Sequence, residues 1–454
     1  MAYTFFNMAA SGGSNANSGS SSSVIYTSSS AVWDGTSTLT VTGAGAVQVN
    51  DWINVNSAYI AQVTSASPTS IVLSTANKYG TAPTAGTYTI NDGGYFASLA
   101  IFTNIFNIAP PPISTCVQIP LMTITLSGSQ NINVLGTTLA PFWLRGYSVT
   151  PGDLDSGSTT LSYPTIAVGT QALGISSEYG SITGFNFTSA TRVGSVVSFG
   201  GNIPMYVRHC RFINTENNSS AAAISNTGAD IDFTYCYFQA TGALSGQIVT
   251  NTGGGCSFNG CWIAGNGAGT SQVGVVGSST IMLNNCVIYN PGLHGMSMTT
   301  INMTAYLKNV TFYLCGGDSI HLAAIPTQTF GTTIENCLFL SSAAYDINNA
   351  SGTNTSRPRL YNNDTYNAGT AHLNGFGDVI EYNLITESTG AGFPCVSTTN
   401  LALLSTALGA GAGIPGQWEN VTGVAYSDVG AWQRQVTGGS GGPVGANQRG
   451  GFVN

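Results

Sequence analysis

Ile334-Glu335-Asn336-Cys337-Leu338-Phe339 is the stretch that decides the fold, because near copies of it recur upstream at almost constant spacing. The copies include Phe258-Asn259-Gly260-Cys261-Trp262-Ile263, Leu283-Asn284-Asn285-Cys286-Val287-Ile288 and Leu307-Lys308-Asn309-Val310-Thr311-Phe312, with earlier ones at Val207 to Phe212 and Phe233 to Phe238. Measured on the cysteine column, positions 210, 236, 261, 286, 310 and 337 are separated by steps of 26, 25, 25, 24 and 27 residues. A fixed period in this range marks a solenoid, whose repeats bury their apolar faces only by stacking on one another. Within the unit the residues read in, out, bend, in, out, in: two short strands of period two. They are joined at a residue suited to the left-handed conformation, mostly Asn, Gly or His, with Tyr235 the poorest fit. No sustained 3.6-residue apolar rhythm competes with this reading. The expected class is all-β: a right-handed parallel β-helix of about 25 residues per coil, preceded by a small antiparallel β domain.

Composition limits what such a body does. The chain has 454 residues, only 6% of them charged, and a formal net charge of −8. Solubility therefore rests on Ser, Thr, Asn and Gly, while 43% apolar content supplies a core despite 58 glycines. The acidic balance and the lack of a Lys/Arg run leave no footprint for nucleic acid. No window reaches the length of a membrane span, and the start has no secretory pattern, so synthesis in the cytoplasm is expected. Five of the nine cysteines fill one repeat column, which packing of stacked thiols explains better than disulfides. No Cys-x-x-Cys or His pair suggests a metal, and no cofactor is expected.

Along the chain, residues 1–30 are Ser-, Gly- and Asn-rich and read as a flexible docking arm. Residues 31–92 carry five short alternating strands and read as a small barrel or sandwich. Residues 93–115 hold the best helix candidate, Phe96 to Ile108, as a cap and linker ended by Pro110-Pro111-Pro112. The β-helix is expected over 116–435, and 436–454 form a Gly-rich tail.

Three features carry a resemblance. They are Pro141-Phe142-Trp143-Leu144-Arg145-Gly146-Tyr147 with the following Gly152-Asp153, the Asn-Cys-x-Phe rungs, and the closing Tyr426-Ser427-Asp428-Val429-Gly430-Ala431-Trp432-Gln433-Arg434. Together they resemble the parallel β-helix proteins of tailed-bacteriophage virions, related in fold to the pectate-lyase-like superfamily. The resemblance covers residues about 90 to 435 and implies a non-enzymatic structural or receptor-facing virion protein, as head decoration, fibre or tail spike. It also implies a homotrimer, docking to other virion proteins through the N-terminal region, and contact with a host-surface glycan. The alternatives are a polysaccharide-degrading tailspike, acting as glycosidase or lyase, and a bacterial surface adhesin.

Catalysis on polysaccharides needs paired carboxylates or a base beside a metal-bound acid. Asp230 and Asp232 share a strand face, a pattern that a solvated edge also produces. Asp318 and His321 lie about one coil after His294 and resemble polygalacturonases in outline. That family has a paired aspartate before a Gly-His-Gly turn and a later Arg-x-Lys, both absent here, so an exposed turn Asp is the expectation. Lys308 and Glu335 occupy one outward slot a coil apart and suit a surface ion pair. The chain has two lysines, Lys78 and Lys308, so a lyase base would be Lys308 or an arginine such as Arg208 or Arg211. The outward column Arg211, Tyr237, Trp262, Val287 and Leu338, with Tyr289 and Tyr313 two positions further on, is too apolar for open solvent. It is expected to form an interface between three parallel helices, with cover by a loop or terminal arm, or a platform for sugar rings, as the other readings.

Overall fold

The computed structural model describes residues 3–403 apart from 10–12, 109–110, 156–160, 202–203, 229, 243–245, 268–271, 301–303, 324–331, 352–357, 362, 377–379, 383–384, 388–394 and 398–399; from 380 onward only the backbone is described. The described chain is all-β, with parallel ladders stacked coil upon coil and a closed antiparallel barrel near the N-terminus. It forms two compact units, Met1–Ala240 with Thr252–Gly254, and Thr241–Asn251 with Gly255–Asn454.

In the second unit each coil contributes a strand to each of three ladders. Phe258, Leu283, Leu307, Ile334 and Leu360 are successive register partners in the first ladder, reproducing the repeat read from sequence. Ile263, Ile288, Phe312 and Phe339 do the same in the second, beyond the bend. The third runs through Val273–Gly277, Met296–Met298, Ile320–Leu322, Tyr345–Asn349 and Ala371–Asn374. The first unit repeats the plan: Leu144, Ile182, Val207 and Phe233 form one inward column. Phe187, Phe212 and Phe238 form another, with rings stacked at 5.0 and 5.3 Å. Each fully buried aromatic of this kind contributes roughly 1.5–3 kcal/mol.

The bend behaves as its residue types dictate. Asn285, Asn309 and Asn336 have φ of 53°, 53° and 52°, and Gly260 has 62°. His209 and Tyr235 take the same conformation at 50° and 53°, His a residue type enriched there and Tyr one that is not. Their rings stack at 5.4 Å and 14°, a contact that the conformation makes possible and that offsets part of its cost. The cysteine column turns inward as expected. All eight described cysteines are free and buried, and burial pushes the thiols of Cys210 and Cys337 up to about 12.

The barrel closes from Val24–Trp33, Thr38–Thr40, Trp52–Val55, Tyr59–Ser67, Ser70–Gly80 and Gly86–Gly93 around Trp33, Leu39, Ile53, Tyr59 and Ile90. It thus begins before residue 31, inside the expected arm. The arm itself is not free over its described residues. Thr4–Asn7 pairs in parallel with Thr115–Ile119, burying Phe6, and Ser18 is bonded to Gly93. Alternation in Thr4-Phe5-Phe6-Asn7-Met8 supplies an edge strand, and the polar run after it hid that signal. The expected helix over 96–108 shrinks to a five-residue π-helical turn, Phe102–Phe106. Phe96, Ile101, Phe102, Ile105 and Phe106 are buried and serve packing rather than a helical stripe: Phe106 lies edge-on to Phe6 and Tyr79, and Phe102 to Phe142. The closing motif 417–434 and the tail 436–454 lie outside the described residues.

Candidate functional site

Among the described residues of the second unit, the densest set of ionisable groups sits where the strands of the third ladder begin. Met296 pairs with Ile320 and Ile320 with Ile347, so His294, Asp318 and Tyr345 fall at one level on three adjacent coils. Glycines let the turns approach. A Cβ on Gly295 would lie 2.5 Å from the Ser319 carbonyl oxygen, and one on Gly317 would lie 3.2 Å from His294 Nδ1.

Asp318 is the centre of the cluster. Its Oδ2 accepts from His321 Nδ1 at 2.7 Å and from Asn348 Nδ2 at 2.9 Å, and its Oδ1 accepts from the Tyr345 backbone N–H at 3.2 Å. His294 Nδ1 lies 3.5 Å from the same Oδ2 and accepts from the Asp318 backbone N–H at 3.1 Å. The two imidazoles stack with centroids 4.0 Å apart and planes 13° from parallel. Burial acts to raise the Asp318 carboxyl, but the bonds from His321 and Asn348 and the neighbouring His294 outweigh it, leaving the group below its ordinary value. Burial first, and His321 second, push His294 down to about 4. His294 is therefore neutral at neutral pH, with an unprotonated Nδ1. An ionised carboxylate only accepts, so the His321 Nδ1 that faces it carries a proton. The side chains of His294, His321 and Asp318 are 14%, 20% and 3% exposed.

The arrangement can do two things chemically. A histidine held by a carboxylate is the oriented base of many hydrolytic sites. Two imidazoles and a carboxylate also make a donor set for a metal, and one ligand atom from each lies within 4.8 Å of the others. A second buried carboxylate follows on the next coil. Asp346 accepts from Ser342 Oγ at 2.7 Å, from His372 Nδ1 at 2.9 Å and from Thr365 Oγ1, and Ser342 is bonded in turn to Ser319 at 2.6 Å.

Sequence reasoning expected Asp318 in an exposed turn; it is 2% exposed. The turn is real, but its carboxylate is taken up by His321 on its own coil and by Asn348 and the Tyr345 N–H on the next. The sequence sets Asp318 and His321 about one coil after His294 but expects no metal there, because it does not show that the three side chains meet at one level. The signal lay in the period: His294 and Asp318 are separated by one coil length. Asp230 and Asp232 lie in the first unit, exposed and half-buried, with Asp232 in register with Tyr206. Lys308 and Glu335 are register partners on adjacent coils. In the outward column, Arg211 is exposed, with its guanidinium 4.9 Å from the centroid of the Tyr163 ring, and Tyr237 is half-buried. Trp262 and Tyr289 are half-buried with rings 6.2 Å apart, whereas Val287, Tyr313 and Leu338 are 4%, 2% and 0% exposed. In the second unit Val287, Tyr313 and Leu338 are thus buried within the single chain, whereas Trp262 and Tyr289 keep part of their surface.

No protein-family model matches the chain, and no curated protein matches its sequence. Among solved structures it is similar to the pectate lyase Pel9A, at 12% identity and a TM-score of 0.46, over 75% of this chain and 92% of that one. It is also similar to the catalytic domain of a GH87 α-1,3-glucanase, at 9% identity and a TM-score of 0.24, over 81% of this chain and 90% of the other. A third likeness is to the tailspike protein gp49 from Pseudomonas phage LKA1, at 14% identity and a TM-score of 0.21, over 83% of this chain and 65% of that one. Similarity at this level assigns none of their activities to the chain.

Proposed function

We propose that the protein is a structural component of a tailed-phage virion, made in the host cytoplasm, whose β-helical coils form a rigid body for docking and for contact with a host surface. The observation that carries this reading is the use made of its buried acids. Asp318 accepts from His321 on its own coil and from Asn348 and the Tyr345 N–H on the next, and Asp346 from Ser342 on its own coil and His372 on the next, so each acid ties two rungs together. Such bonding rigidifies a stack at low cost in exposed charge. The rung, Arg-Gly-Tyr and closing motifs support the virion assignment, and assembly as a trimer belongs to the same proposal.

A second reading has its own observation: His321 is held by Asp318 through Nδ1 with its side chain partly exposed, the arrangement of an oriented general base for a bound polysaccharide. One experiment separates the two. Purified particles are probed with antibody to the chain, and the isolated protein is incubated with bacterial and pectic polysaccharides while reducing ends and unsaturated products are followed. Labelling of the particle without product release is the expected result. Product release that disappears in His321→Gln would replace the structural reading with the enzymatic one, and absence of the chain from particles would end the virion assignment.

A further inference from the structure

We propose that His294, Asp318 and His321 form a binding site for one divalent first-row transition-metal ion of the zinc class, clipping two neighbouring coils together. This goes beyond the structural role and does not depend on it. The three donors are present without rearrangement of the backbone. Asp318 Oδ2 lies 2.7 Å from His321 Nδ1 and 3.5 Å from His294 Nδ1. Ligands held 2.0–2.2 Å from a tetrahedral zinc stand about 3.4 Å from one another; the two separations from Asp318 Oδ2 lie on either side of that value, and the ligand atoms all lie within 4.8 Å of one another. The two rings stack nearly parallel, so both rotate out of the stack to bring their nitrogens onto one ion, and the two histidine side chains are partly exposed, which gives it a path in.

The donor set selects the class of ion. Two imidazoles with one carboxylate suit zinc, cobalt or nickel and disfavour calcium and magnesium, which prefer oxygen alone. Three protein ligands leave a fourth position to water. The supporting shell is also built: Asn348 and the Tyr345 N–H hold the carboxylate in place, as outer partners do in metal sites. Loading displaces the proton that His321 Nδ1 now shares with Asp318, and that proton goes to the buffer. The Asp318 N–H exchanges its bond to His294 for one to water. The sequence position of the ligands gives the ion a mechanical consequence. His294 belongs to the turn before Met296–Met298, and Asp318 and His321 to the next coil, before and within Ile320–Leu322. An ion held there opposes separation of the two rungs.

The test uses the full chain, stripped with chelator and then titrated with zinc by calorimetry, with cobalt as a spectroscopic probe and the melting temperature recorded with and without ion. The expected result is one zinc per chain, visible d–d bands for bound cobalt, and a higher melting temperature with zinc. His294→Gln and His321→Gln should each weaken binding at least about tenfold while circular dichroism shows the fold intact. His372→Gln, on the neighbouring Asp346, should leave it unchanged. Absence of stoichiometric binding by the wild-type chain overturns the proposal. So does binding that survives unchanged in both ligand variants, or that is lost in His372→Gln alone. Particle localisation plays no part in any of these readouts, so failure here leaves the virion proposal standing, and the reverse.

Discussion

Asp92 shows how a single residue sets a pH dependence. Its side chain is fully buried, and neither carboxylate oxygen meets a hydrogen-bond donor. Burial first, and the charge of Asp51 second, raise its pKa to about 7. The folded barrel therefore holds this proton more tightly than the unfolded chain, whose aspartates titrate near 4. The stabilising contribution is complete below that value and is lost as the pH rises toward 7, by up to about 4 kcal/mol. Melting curves at pH 5 and pH 8 should show Asp92→Asn losing less stability across the interval than the wild type. Equal losses would mean that the buried acid does not titrate in this range. Tyr235 makes a related point about legibility. Its residue type argues against a left-handed bend, yet its place in the repeat demands one, and the repeat prevails because every coil must turn there to stack.

At the scale of the element, the strand pair around the bend is held by what its inward column buries. Cys286 donates weakly to the Asn284 carbonyl at 3.2 Å and is sealed from solvent, as are the other described thiols. Ellman's reagent should therefore leave these thiols untouched in the folded protein and titrate them only after denaturation. Early reaction of several thiols would show that the coils open. Cys286→Val should cost less than about 1.5 kcal/mol, because the change nearly conserves volume and Val310 already fills the same slot one coil on. By contrast Phe312→Ala removes a ring stacked on Phe339 at 5.3 Å and should cost about 3–5 kcal/mol. Chemical denaturation of the two variants measures both figures.

At the scale of the molecule, the N-terminal residues change meaning. A segment expected to hang free for docking instead completes the first unit: Phe6 lies edge-on to Trp52 and Tyr79 of the barrel and to Phe106 of the π-helical turn. Deleting residues 1–8 should expose this aromatic cluster and the Thr115–Ile119 edge, lowering the melting temperature by several degrees and promoting aggregation. Light scattering and calorimetry on the deleted chain check this. Unchanged melting and mass would restore the free arm. The same scattering measurement on the intact chain tests the proposed trimer.

The coil period, the two strands of each rung, the inward cysteine column and the left-handed bend could all be read in the chain's own text. Each is a local pattern, repeated often enough that position 310 could carry valine and position 235 tyrosine without obscuring it. The barrel was legible too, though its first strand was not, because Val24 to Ser30 looks like the polar run before it. What depended on tertiary structure was the company each polar residue keeps. Asp318 reads as a turn residue until stacking sets it against His294 on the preceding coil and against Tyr345 and Asn348 on the following one. Val287 and Leu338 read as outward until the rest of the chain covers them. Periodicity records which way a side chain points from its own backbone, and only the packed coils decide what stands in front of it.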